Sequence, residues 1–191
     1  MVVAVDCEEL AAIAETAGAQ AVFTQPTHLS GSDRVAEAIE HFPRVQTVIN
    51  VQGDEPEIEP DAIDAIAQTI LNGAEVATLA APLPEGSLED PAAVKLETDN
   101  QGNALQFVRR VNTQANWQLH IGIYGYSVHA LKAFTSSSPT EAEKDFHLEQ
   151  LRFLENGVPI RVVSWPRAFL GIDTRSDYDA FLTRYIGTSP P

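Results

Sequence analysis

The sequence predicts an α/β fold: a mostly parallel sheet flanked by helices on both faces, with a mixed extension of that sheet in mid-chain. Three observations carry the prediction. Short β-branched runs, such as Val2-Val3-Ala4-Val5 and residues 45–52, are each followed by apolar residues at helical spacing, and strands alternating with helices stack as a sheet covered on both sides. From residue 75 to residue 127 the pattern changes to strands with little helix between them, which points to antiparallel pairing because short connections do not join parallel strands. The 191 residues, 44% of them apolar and 20% charged, suffice for one buried core and make a single domain the expectation.

Taken in order, Val2–Val5 reads as the first strand, and Leu10, Ala11, Ile13, Ala14 and Ala17 lie at helical spacing behind it, with Asp6 and Glu9 placed as a capping box. Residues 20–24 form the next strand. After the turn Thr27-His28-Leu29-Ser30-Gly31, a helix begins near Ser32 with Val35, Ala36 and Ile39 on one face. Residues 45–52 are uncharged and read as a buried strand emptying into Gly53-Asp54-Glu55-Pro56. The following helix opens near Pro60 and turns Ile63, Ile66 and Ile70 inward. Strands follow at 76–81, 93–97, 105–109 and 118–127, helices at 129–135 and 144–156, a strand at 160–165 and a last helix at about 176–185. Residues 82–91 and 136–143 read as loops.

Composition narrows the function. Twelve Lys and Arg stand against 27 Asp and Glu, a net charge of −15, so a nucleic-acid backbone is not an expected partner. The single Cys7 leaves no intramolecular disulfide and no thiolate metal cluster. The apolar stretches fall far short of the roughly 20 residues that cross a bilayer, so no membrane partner is expected and the protein is placed in the cytoplasm. Neither a Walker-type loop nor a G-x-G-x-x-G occurs, although a doubly wound nucleotide-binding fold usually opens with such a phosphate cradle.

Three segments carry candidate chemistry. Val51-Gln52-Gly53-Asp54-Glu55-Pro56 places Asp54 beyond the carboxyl end of a strand, where open α/β sheets bind ligands; the plainer reading is a turn that uses Gly and Asp for its dihedral angles. Gly171-Ile172-Asp173-Thr174 delivers a second Asp just before a helix, where Asp173 or Thr174 equally serves as a cap. Two such carboxylates converging at one rim suit magnesium, which takes most of its remaining ligands from water and phosphate oxygens. In His120-Ile121-Gly122-Ile123-Tyr124-Gly125-Tyr126, period-two alternation sets His120, Gly122, Tyr124 and Tyr126 on one strand face. That face is either a ligand surface or an ordinary half-exposed strand with aromatic pairs. Ser30 to Arg34 adds small residues and one cation, Arg109-Arg110 adds possible anion contacts, and Glu149-Gln150-Leu151-Arg152 reads as part of a helix.

T-H-L-S-G-S-D-R, I-N-V-Q-G-D-E-P, H-I-G-I-Y-G-Y, L-E-Q-L-R and G-I-D-T occur in the order and rough spacing of one family. The chain resembles the 3-deoxy-manno-octulosonate cytidylyltransferases, or CMP-KDO synthetases, over nearly all of its length. The resemblance implies a Rossmann-like nucleotidyltransferase fold and transfer of CMP from CTP to the anomeric hydroxyl of an eight-carbon keto sugar acid, releasing pyrophosphate, with Mg2+ as cofactor and a homodimer as assembly. It implies that Asp54 and Asp173 hold the metal as the catalytic pair, and that Gln52, His120, Tyr124, Glu149 and Gln150 line the sugar-acid pocket. Ser30, Gly31 and Arg34 match a loop near the nucleotide, and Arg109 is carried as a further substrate contact.

Two departures from the family pattern stand out. The family opens with a strand and a loop similar to G-S-x-R-L-P-x-K, whereas Met1 here directly precedes what looks like the second strand. The chain therefore reads as one cytidylyltransferase-like domain, 1–191, shortened at its N-terminus, and weak triphosphate binding by these residues alone is expected. After Phe107-Val108-Arg109-Arg110, where the family usually has F-S-R, only residues 111–119 precede the His120 strand. A shortened homologue kept as a binding or dimerisation module, and a cytidylyltransferase for another sugar acid, are the alternative readings.

Overall fold

The computed structural model describes residues 1–28, 30–111 and 116–187. Leu29 of the T-H-L-S-G motif and residues 112–115 of the 111–119 connection lie outside the described residues. The first unit is a β-α-β crossover in which β1 (Val2–Val5) pairs in parallel with β2 (Gln20–Phe23) across α1 (Glu8–Thr16). Ala11 and Ala14 turn inward while Leu10 and Ile13 are exposed. Cys7, not Asp6, stands at the N-cap of α1 and makes no side-chain cap bond. The Asp6 carboxylate instead accepts from Arg34 at 3.3 Å, so the expected Asp6–Glu9 capping box does not form.

The second sheet has six strands in the order β6-β5-β7-β4-β8, with β3 also paired to β7. Its members are β3 (Thr47–Val51), β4 (Val76–Pro82), β5 (Lys95–Thr98), β6 (Ala104–Val108), β7 (Gln118–Ser127) and β8 (Ile160–Ser164). β7 is antiparallel to β3, β4 and β5, β6 is antiparallel to β5, and β4 is parallel to β8. Four strands therefore share one direction, with β6 and β7 running against them. This is the expected α/β architecture, but the sheet is mixed rather than mostly parallel: β7 inserts against β3, β4 and β5, so that only β4 and β8 pair in parallel within it.

Helices cover both faces. On one, α3 (Pro60–Leu71) lays Ile66 and Ile70 against Leu79, Ile121 and Ile123. Gly125 lets it come close: a Cβ there would stand 2.6 Å from Ile66 Cγ2 and 2.8 Å from Ile70 Cγ1. On the other, α2 (Gly31–Ile39), α4 (Val128–Ser136), α5 (Glu141–Phe146) and α6 (Leu151–Glu155) pack around Tyr124, Tyr126, Leu131, Phe134 and Phe153. Full burial of each such large side chain contributes on the order of 1.5 to 3 kcal/mol.

Residues 144–156 are not the single helix their pattern predicts. α5 starts earlier, at Glu141, behind a complete capping box between Thr140 and Glu143. It ends at His147, which takes a left-handed conformation with φ 52°. The chain then turns through Leu148, Glu149 and Gln150 before α6 begins. Glu149 and Gln150 therefore sit in a corner between two short helices, aimed at the sheet. The last helix, α7 (Arg175–Gly187), follows the Gly171–Thr174 turn.

Candidate active site

Two loops meet at the end of β3. The chain turns after Val51 with Glu55 N donating to Gln52 O at 3.2 Å, and the carbonyl of Asp54 accepts from Ile172 N at 2.8 Å. Gly171 permits that approach, since a Cβ at this position would lie 3.4 Å from Asp54 O. Asp173 is the next residue after the bond, and it is not the helix cap: Thr174 donates its N–H and hydroxyl to Asp177 at 2.8 Å each, and its own hydroxyl accepts from Asp177 N. The Asp54 and Asp173 side chains are thus left at an exposed rim.

Glu55, within the Q-G-D-E-P segment, is a third carboxylate there. Burial first, then the neighbouring charges of Asp54 and Asp173, push its pKa up to about 6, against a lowering backbone hydrogen bond from Gly122. Its Oε2 is buried with no hydrogen-bond partner among the described residues. Among those residues no cluster of three or more His, Cys, Asp or Glu side chains forms a metal cage. The rim therefore offers negative charge and hard oxygen donors from two converging loops, open to groups brought by a ligand.

The β7 face lies beside this rim. Ile121 and Ile123 point to the α3 core while Tyr124 and Tyr126 join the opposite one, as period-two alternation requires. His120 Nε2 is hydrogen-bonded to the Tyr124 hydroxyl at 2.9 Å and the Thr78 hydroxyl at 3.1 Å, and the Phe107 ring meets its ring edge-on at 5.2 Å. Burial pulls the His120 pKa down to about 3, so the imidazole is neutral at physiological pH. Gln52 lies over Gly122, where a Cβ would stand 3.4 Å from Gln52 Oε1. Gln52 thus borders β7 at Gly122, while Tyr124, 2% exposed, is buried in the core and meets His120 through its hydroxyl.

Glu149 closes the far side. Its carboxylate accepts from Ser32 N and from the Ser32 hydroxyl, both at 3.2 Å, and the Ser32 hydroxyl also meets the Tyr126 hydroxyl at 2.9 Å. Burial raises the Glu149 pKa, bonds from Ser32 and Ser30 lower it, and the charge of Asp33 raises it. Gln150 is buried beside it. Ser32, Tyr126 and Thr78 were not singled out for these roles from sequence; Ser32 and Glu149 are 117 residues apart, a proximity that only packing of α2 on the 148–150 corner creates.

The remaining candidates serve the scaffold. Ser30 caps α2, accepting from Asp33 N at 3.1 Å and donating to the Asp33 carboxylate at 2.7 Å. Gly31 packs between Asn50 and Glu149. Arg34 donates to Thr24 Oγ1 at 2.7 Å and to Asp6, tying α2 to the ends of β1 and β2. Arg109 donates to the carbonyls of Phe146, Pro91 and His147 at 3.1 to 3.3 Å. Both cations are engaged by the protein's own acceptors, and Arg109 braces the His147 turn that leads to Glu149.

A helix-covered α/β sheet with Asp54 and Asp173 on two meeting loops at its strand ends fits a nucleotidyltransferase. The comparisons agree. The family model described as cytidylyltransferase matches residues 1–161. The 3-deoxy-manno-octulosonate cytidylyltransferase of Anaeromyxobacter sp. (strain Fw109-5) is 42% identical over 185 residues, covering 93% of this chain and 75% of that protein. The protein of the same name from Chlorobium limicola is 38% identical over 94% of this chain and 77% of its own. A solved CMP:2-keto-3-deoxy-manno-octonic acid synthetase complexed with CTP superposes with a TM-score of 0.91 at 27% identity, over 98% of this chain and 81% of that one. The inositol-1-phosphate CTP transferase of T. maritima, at TM-score 0.68 and 16% identity, shares the fold. The chain belongs to the cytidylyltransferase family, in its 3-deoxy-manno-octulosonate group.

Proposed function

We propose that the protein transfers CMP from CTP to 3-deoxy-manno-octulosonate, releasing pyrophosphate, as a Mg2+-dependent cytoplasmic homodimer that supplies lipopolysaccharide biosynthesis. The observation that carries the reading is the meeting of the Asp54 and Asp173 loops, joined by the Ile172 to Asp54 bond, beside Gln52 and neutral His120. In the reaction the anomeric oxygen forms a bond to the α-phosphorus of CTP, the bond from that phosphorus to pyrophosphate breaks, and the hydroxyl proton leaves to solvent. Such transfers depend on positioning and charge neutralisation more than on a covalent nucleophile.

The donor set at the rim fits Mg2+. Two exposed carboxylates on loops held together by backbone leave most coordination positions to phosphate and water oxygens, as this ion prefers. Asp54 and Asp173 would hold the ion, which when bound would supply charge neutralisation for the triphosphate and the departing pyrophosphate. Asp54 and Asp173 thus orient the triphosphate. Gln52 and neutral His120, the latter backed by the buried Tyr124 hydroxyl, offer hydrogen bonds to sugar hydroxyls, which suits a substrate carrying many hydroxyls and one carboxylate better than a sugar phosphate. The homodimer reading rests on the β5–β6 extension, whose outer strand carries Leu105 56% exposed, an apolar edge that a second copy would cover.

The test is pyrophosphate release from CTP by the protein at its full natural length, with Mg2+ and the sugar acid supplied. Release that depends on both CTP and 3-deoxy-manno-octulosonate is expected. Release with a sialic acid but not with the octulosonate would overturn the substrate, and no release with any sugar acid would overturn the reaction. Sedimentation of a monomer at tens of micromolar would overturn the assembly.

A further inference from the structure

The Ser32 hydroxyl is completely buried and stands between two groups of unequal need. Glu149, when ionised, is acceptor-only. The single proton of the Ser32 hydroxyl is therefore directed to Glu149 Oε1 at 3.2 Å, which leaves Ser32 Oγ as the acceptor for the Tyr126 hydroxyl at 2.9 Å. The result is a one-way relay, Tyr126 to Ser32 to Glu149, supplemented by the backbone N–H of Ser32 on the other carboxylate oxygen. Tyr126 is itself held between ring stacks, with Tyr124 at 5.8 Å and Phe153 at 5.7 Å. The relay starts in the core and ends at the carboxylate.

We propose that Ser32 and Tyr126 are positioning residues that fix the Glu149 carboxylate in the sugar-acid pocket, joining the N-terminus of α2 to that pocket. The proposal rests on the reading of Glu149 as a sugar-acid contact. A half-buried carboxylate without such donors would protonate or swing away. The groups facing it are Ser30, Ser32 and Asp33 from α2, Tyr124 and Tyr126 from β7, and Arg152 from α6. Of these, Asp33 disfavours the charged form and the serines favour it. Because α2 also bears the Ser30–Gly31 turn, a shift of that turn is transmitted to Glu149 by two hydrogen bonds.

The experiment has two arms. In the first, the Glu149 carboxyl is titrated by 13C NMR in the substrate-free protein and in Ser32→Ala. The variant's midpoint is expected to rise, because one bond to the charged form is lost; Tyr126→Phe, which keeps the ring stacks, is expected to raise it less, and Ser32→Thr to restore it. In the second arm, KM for the sugar acid is measured against pH. Ser32→Ala is expected to raise KM about tenfold, the loss of one bond to a charged group, with little change in kcat, and to move the acid limb upward. Coincident Glu149 midpoints in wild type and Ser32→Ala overturn the proposal, as does a KM increase of the same factor at every pH. Should Ser32→Ala fail to fold, Tyr126→Phe decides by the same titration. Absence of turnover in the wild type would sink the function reading while leaving the titration intact.

Discussion

Ile172 N donates to the carbonyl oxygen of Asp54 at 2.8 Å, and this bond sets the spacing of the two loops that bear Asp54 and Asp173. Because both side chains are exposed, replacing either by Asn removes charge without opening a cavity. Each variant is expected to stay within about 0.5 kcal/mol of wild-type stability and to lose on the order of 10² to 10³ in kcat, the scale for removing one electrostatic contact to a transition state. Raising Mg2+ should recover part of the loss. Initial rates across a Mg2+ series, with urea unfolding alongside, check this; wild-type rates at limiting Mg2+ in both variants would remove the pair from the metal site.

The Arg152 guanidinium, 2% exposed, forms a bidentate pair with Glu143 and lies 3.8 Å over the Phe134 ring. Breaking a buried pair leaves an uncompensated charge, so Arg152→Met is expected to destabilise by about 3 to 5 kcal/mol. Replacing both members with apolar residues should recover part of that, since the buried Glu143 charge is then gone, while Asp33, 3.9 Å from Arg152, loses its cation and α5 loses its capping-box glutamate. Urea unfolding of the single and double variants measures the difference. A double variant as unstable as Arg152→Met would show that packing around α5, not charge, is the cause.

The succession of strands and helices was legible because each strand is a short β-branched run and each crossover helix has a clear apolar period. The alternation of β7 was legible for the same reason, putting Ile121 and Ile123 opposite Tyr124 and Tyr126, but the tyrosine face is buried in a core and is neither half-exposed nor an open ligand surface. What failed were features settled by a single tertiary contact. The helix break at His147 carries no Gly or Pro signal; the Arg109 bonds to the carbonyls of Phe146 and His147 brace that turn from outside. Asp6 left its expected capping role for Arg34, while Thr140 and Glu143, the box that does form, fell in a stretch read as loop. At the site, the two aspartates were legible as strand-end residues, but their backbone link and the Ser32–Glu149 contact arise only when distant segments dock.

The His120 imidazole gives the protein a pH signature. Its folded-state pKa is pulled down to about 3 by burial, below the ordinary value of 6.5. Between those values the unfolded chain binds a proton that the folded chain refuses, so stability contributed by neutral His120 is fully present above about pH 7 and is lost as pH falls. At about 1.4 kcal/mol per pH unit, the loss from pH 6.5 to 5 is on the order of 2 kcal/mol. His120→Gln should therefore be less stable than wild type at pH 7.5, where it forfeits the bonds to Tyr124 and Thr78, and the gap should close or reverse by pH 5. Urea midpoints of both proteins at several pH values between 7.5 and 5 read this directly. The comparison cancels the carboxylates common to both chains, so a gap that stays constant would mean that folding does not lower the His120 pKa and that burial does not hold its ring neutral.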